Sequence, residues 1–178
     1  MKTLLIGLGN SILTDDGVGV QVAYAVKAKL PESEAPTAVG PRDVTVAEAG
    51  VGGLHLMEMM VGYQQVILVD AIQTPGGQPG DIHHLTLEDI ASALPTQHSA
   101  SAHDMNLPTA LEMGRRLGLA LPDSVEIFAI EAEDVVTFGE TCTPAVAAAI
   151  PIVTELVLQA LARLSARLPA NRQSEEDT

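Results

Sequence analysis

The chain has 178 residues, 47% of them hydrophobic, with two Phe, two Tyr and no Trp, which suits one domain with a core of Leu, Val, Ile, Ala and Met. Nine basic residues against 23 acidic ones leave a formal charge of −14, which opposes phosphate backbones and anionic lipid and argues against nucleic-acid and membrane partners. A single cysteine, Cys142, excludes an intramolecular disulfide, and the apolar stretch before Gly7 is too short for a signal or spanning segment, so a cytoplasmic protein is expected.

Residues 4–8 form a continuous apolar run, read as a buried strand, and residues 18–30 place Val18, Val22, Ala25, Val26 and Leu30 on one helical face. Pro31 ends that helix, and 32–43, with Pro36, Gly40 and Pro41, reads as a loop. A second strand over 44–47 enters the turn Glu48-Ala49-Gly50-Val51-Gly52-Gly53, and a short helix follows over 54–60. Val66-Ile67-Leu68-Val69 is the unbroken apolar run expected of a strand buried on both faces, and Asp70 ends it. The turn-rich stretch 74–80 leads to a strand over 81–86, a short helix over 87–94 and a polar loop over 95–102. A helix over 103–117 turns Leu107, Leu111, Gly114 and Leu117 inward, and 125–130 is the last strand. Thr143 and Pro144 supply an N-cap and a first-turn proline for the final helix. Its apolar stripe runs Val146, Ile150, Val153, Val157, Leu161, Leu164 and Leu168, with a kink expected at Pro151. Strands alternating with helices predict an α/β fold, a three-layer sandwich whose mostly parallel, twisted sheet is covered by helices on both faces. One domain is expected over 1–168 and a disordered polar tail over 169–178.

The segment Gly7-Leu8-Gly9-Asn10-Ser11-Ile12-Leu13-Thr14-Asp15-Asp16-Gly17-Val18-Gly19 links the first strand to the first helix and carries two adjacent acids. It is no dinucleotide fingerprint, because Ile12 stands where the third glycine is needed for close packing. An acid here serves either as a helix cap, its commonest use, or as a ligand at the carboxyl edge where open α/β sheets bind. Asp16 after the first strand, Asp70 at the end of the third and His103 at the start of a helix can converge at that edge although they lie far apart in sequence. Two carboxylates and an imidazole make an open site for a borderline divalent ion such as nickel or zinc, with positions left for water or substrate. Taken singly, Asp70 also suits a turn cap and His103 an exposed helix terminus. A helix N-terminus keeps such an imidazole neutral, as a metal ligand must be. His83 and His84 are adjacent on a strand and point to opposite faces, so they do not bind one ion together. His98 and His55 have no visible partner, and Cys142, with no motif supplying a base, reads as a small residue before a helix cap.

Taken in order, the segment 7–19, Val69-Asp70-Ala71, Ser101-Ala102-His103-Asp104-Met105-Asn106-Leu107 and Thr143-Pro144 resemble the hydrogenase maturation proteases, endopeptidases that trim the C-terminus of nickel-iron hydrogenase large subunits. The resemblance covers about residues 4–164. It implies that Asp16, Asp70 and His103 bind nickel carried by the precursor, that nickel marks the precursor as ready for cleavage, and that the isolated protein holds no tightly bound metal. The family places Asp or Glu at the first position, so Asp16 fits. The implied partner is the large-subunit precursor. The ion either polarises the scissile carbonyl or activates a water, with Asp15 as adjacent support or base. Two departures bear on which hydrogenase is matched. Glu48-Ala49-Gly50-Val51-Gly52 stands where many members carry Asp-Gly-Gly-Thr, and Ile130-Glu131-Ala132-Glu133-Asp134 replaces a common Gly-Ile-Gln-Pro. A soluble cofactor-reducing hydrogenase is the expected target, and a monomer the expected state. Peptidyl-tRNA hydrolase shares the strand-to-Gly-x-Gly-Asn opening, but its Pro-Gly after the asparagine and its histidine motif are missing, and the charge of −14 opposes tRNA. A nickel chaperone or sensor is the other alternative; the absence of His-rich tracts or a closed four-ligand set favours a substrate that completes the shell.

Overall fold

The computed structural model describes residues 2–31, 44–50, 52–93 and 107–166. Five strands, β1 (Thr3–Leu8), β2 (Val44–Ala49), β3 (Gln65–Ile72), β4 (Ile82–Thr86) and β5 (Ser124–Glu131), form one sheet in the order β2-β1-β3-β5-β4. The first four in that order run parallel, and β4 closes the edge antiparallel to β5. The inner strands β1, β3 and β5 are mostly apolar because both their faces are covered. Leu5, Ile67, Val69, Phe128 and Ile130 pack beneath α1 (Val18–Lys29) and α5 (Pro144–Ala166). Leu4, Ile6, Leu8, Val66, Leu68 and Ile127 pack beneath α2 (Gly53–Met60), α3 (Leu87–Ala93) and α4 (Leu107–Arg116). The three-layer α/β sandwich expected from the sequence is the observed architecture.

The strand order decides where a ligand goes. From β1 the chain moves to β2 on one side, and from β2 it crosses to β3 on the other. The β1–β3 boundary is therefore the topological switch point, where oppositely directed connections leave a crevice outside the carboxyl ends of the strands. The last register pair between those strands is Gly7↔Val69. Asp70 lies one residue beyond it, where the first strand gives way to the glycine segment. Gly9 makes that departure possible: its φ is +122°, and a Cβ there would stand 1.8 Å from the Asp16 carbonyl oxygen. The close packing that a dinucleotide fingerprint secures earlier in the loop is achieved at Gly19. A Cβ at that position would meet the carbonyl oxygens of Val69 at 2.2 Å and Leu8 at 2.4 Å, so α1 lies on bare backbone of β1 and β3.

Three sequence expectations change. Asp70 does not end its strand; β3 continues through Ala71 and Ile72, held by the register pairs Ala71↔Ile130 and Ile72↔Glu131. Leu117 is 72% exposed rather than inward, because α4 stops at Arg116 and Gly118, at φ +77°, turns the chain; Ala110 takes the buried place. On α1, Ala23 rather than Ala25 is buried. α5 continues through Pro151 and, with 23 residues, is the one described helix long and apolar enough to cross a membrane. Val146, Val153, Val157, Leu161 and Leu164 are buried against the shared core, which accounts for its apolar stripe. Leu168 and the tail over 169–178 lie outside the described residues.

Candidate active site at the switch point

The two neighbouring acids of the glycine segment have opposite fates. Asp15 is fully buried, and its carboxylate accepts four hydrogen bonds. Oδ2 takes the backbone N–H of Glu133 at 3.0 Å and of Asp134 at 2.9 Å, together with the Thr143 hydroxyl at 3.0 Å. Oδ1 takes the Thr143 N–H at 2.7 Å. Asp15 thus ties the chain after β5 and the N-terminus of α5 to the loop after β1. Neither acid caps α1: its N-cap is Gly17, with no side-chain hydrogen bond. The cap-like acid expected from the sequence exists, but it serves α5. With three donors on Oδ2 and one on Oδ1, this carboxylate staples the three segments together.

Asp16 is half-buried, and its Oδ2 accepts the Asn10 N–H at 2.7 Å. The Asn10 side chain in turn accepts the Ile12 N–H at 3.2 Å, so the turn that presents Asp16 is closed from within. On the adjacent β3, Asp70 is 1% exposed, and its Oδ1 accepts the Ala71 N–H at 2.9 Å. A carboxylate kept at this depth is paired or coordinating in folded proteins. Alternation along β3 puts Asp70 on the side of Val66 and Leu68, the face covered by α2 and α4. His103 and His98 lie outside the described residues. Among the described residues no group of three His, Cys, Asp or Glu is placed to hold a metal.

A second buried acid stands near Asp70 that the sequence does not single out as a site residue. Glu131, at the end of β5, is 2% exposed and accepts the Thr74 N–H and, at 3.0 Å, the Thr74 hydroxyl. His83 Nε2 lies 3.4 Å from its Oε2, within ion-pair range but without hydrogen-bond geometry. Register pairs Asp70 and His83 to opposite sides of Ala129, so these side chains share a sheet face. His84 points to the other face, stacked on Phe128 with ring centroids 4.7 Å apart, as alternation requires. The sequence signal for Glu131 is an acid directly after the apolar run over residues 127–130 of β5. His55 lies on the α2 surface, 3.7 Å from Glu58.

Cys142 adjoins this network without the properties of a nucleophile. Burial first, then the negative charge of Asp15, push its thiol up to about 11, against a side-chain contact with Gln21 that lowers it. At neutral pH it is a thiol, and the thiolate is the reactive form.

Fold and crevice together define a doubly wound α/β protein with acids on both sides of its switch point. A family model described as hydrogenase maturation protease matches residues 20–160, and the chain belongs to that family. It is 27% identical to the hydrogenase 2 maturation protease of Escherichia coli over 161 residues, covering 90% of this chain and 91% of that protein. It is 23% identical to the hydrogenase expression/formation protein HupD of Rhizobium leguminosarum, covering 90% of this chain and 74% of that one. The solved structure of the hydrogenase maturating endopeptidase HybD from Escherichia coli superimposes with a TM-score of 0.74 at 26% identity, covering 92% of this chain and 94% of that one. The chain is accordingly a peptidase of hydrogenase maturation.

Proposed function

We propose that this protein removes the C-terminal extension of a nickel-loaded nickel-iron hydrogenase large-subunit precursor, with the precursor's own nickel as the recognition element. Asp16 and Asp70 at the switch point, together with His103, complete the coordination of an ion that arrives partly held by the substrate. What supports this reading is strand order: the Asp16 turn follows β1, and Asp70 lies on the adjacent β3 one residue beyond the last β1–β3 register pair. The resident ligand set is open, so the isolated protein retains nickel weakly and the substrate supplies both metal and remaining ligands. Once seated, the ion fixes the scissile segment and stabilises the negative charge that develops as the peptide carbonyl is attacked.

Intact-mass measurement of a matched precursor, loaded or free of nickel, after incubation with the protein tests this. Loss of a C-terminal peptide from the loaded form alone is expected. Equal cleavage of both forms contradicts the recognition role of nickel, and no cleavage together with tight nickel retention by the protein alone supports a chaperone or sensor instead.

A further inference from the structure

The loop that carries Asp16 forms one side of a short ribbon. Leu13 and Phe138 make an antiparallel bridge, the Thr14 N–H and hydroxyl both donate to the Thr137 carbonyl at 3.0 and 2.8 Å, and Gly139 N–H donates to Ile12 at 3.1 Å. At its base the Asp15 N–H donates to the Asp134 carbonyl at 2.9 Å. The Asp134 carboxylate closes the far turn by accepting the N–H groups of Val136 at 3.0 Å and Thr137 at 2.9 Å. This backbone is fully tied down, yet the side chains it displays are apolar: Ile12 is 53% exposed, and Val136 and Phe138 are each 78% exposed. Phe138 is one of two phenylalanines in a chain without tryptophan, and the other, Phe128, is 3% exposed in the core. Opposed residues of an antiparallel ribbon share a side, so Leu13 and Phe138 stand together.

An ordered scaffold that holds large apolar side chains in water has the features of a binding anchor, since little freedom is left to lose on association. Its charge selects the partner. Exposed Glu133 and Glu140 flank the ribbon, and neither 3–26 nor 124–143 contains a Lys or Arg. A matching surface therefore has an apolar spot ringed by basic side chains. The ribbon is continuous with the Asp16 turn, so a body seated on it is delivered to the crevice. We infer that Val136 and Phe138, with Leu13 beside Phe138, form the docking surface for the folded body of the hydrogenase large-subunit precursor, an assignment that rests on the protease reading above.

The test compares cleavage kinetics of the full nickel-loaded precursor by the unaltered protein, by a Val136→Ser/Phe138→Ser double variant, and by Leu117→Ser, which removes a 72% exposed apolar side chain at the opposite edge of the sheet. The double variant is expected to raise KM about tenfold or more while kcat stays within about twofold, with Leu117→Ser unchanged. Phe138→Ala alone replaces the double variant if the latter loses its circular dichroism spectrum, and carries the same expectation at smaller size. An unchanged KM, or an equal rise for Leu117→Ser, overturns the docking assignment while leaving the protease reading intact. A dimer that the ribbon substitutions convert to monomer identifies a second copy as the occupant and also overturns it. Absence of cleavage by the unaltered protein overturns both readings together.

Discussion

Asp15 and Asp16 differ by one position and by everything that surrounds them. The carboxylate of Asp15 satisfies donors from Glu133, Asp134 and Thr143, 118 to 128 residues away in sequence, and this distance is why its use is not legible from the chain alone. A local cap has its donors two or three residues away and leaves a pattern; a long-range one does not. Asp15→Asn substitutes an amide whose NH2 faces those donors, and urea denaturation is expected to show a loss of about 2–4 kcal/mol. A loss under about 1 kcal/mol would contradict the staple role. Cys142 tests the same neighbourhood by titration. Its folded value is raised from 9.0 to about 11, so the stability contributed by keeping the thiol neutral is complete below pH 9.0 and declines as pH rises through about 11. Alkylation by iodoacetamide is therefore expected to be slow at pH 8, with an apparent midpoint near the folded value; a midpoint below 9.0 would show a reactive thiol instead.

At the scale of elements, α1 is positioned by what its glycine lacks. Gly19→Ala forces a methyl into the Val69 and Leu8 carbonyls, and a cost of about 3 kcal/mol is expected from such overpacking against backbone. Gly62→Ala is the comparison: at φ +85° with nothing within 4 Å, it carries only conformational strain of about 1 kcal/mol. Equal effects in thermal or urea unfolding would refute the claim that helix–sheet contact, rather than backbone freedom, requires Gly19. The strands were legible because burial on both faces writes itself as unbroken apolar runs such as Val66-Ile67-Leu68-Val69. Asp70 misleads as an end signal, since strand length is fixed by its pairing with β5 and not by where polarity begins. The inward reading of Leu117 fails for the same kind of reason: helical periodicity carries past Arg116, but Gly118 turns the backbone first. Of the candidate site, the acids at Asp16 and Asp70 were legible from strand ends and glycines, whereas Glu131 draws attention only once Thr74 and His83 are seen around it.

The whole molecule joins these parts through strand order. With β1 and β3 adjacent and their connections leaving in opposite directions, the switch point falls between β1, which the Asp16 turn follows, and β3, which carries Asp70. The charge of −14 biases encounter toward basic surfaces and away from nucleic acid, which concerns association and not the fold. In the proposed function, Asp16, Asp70 and His103 act jointly on one substrate-borne ion. Single-turnover cleavage of a nickel-loaded large-subunit precursor by Asp16→Asn, Asp70→Asn and His103→Ala, followed by intact mass, tests it most directly. Each substitution is expected to slow cleavage roughly a hundredfold or more, because each removes a ligand of the same ion. Cleavage by any one of them within about threefold of the unaltered protein would show that its side chain is not part of a shared ligand set.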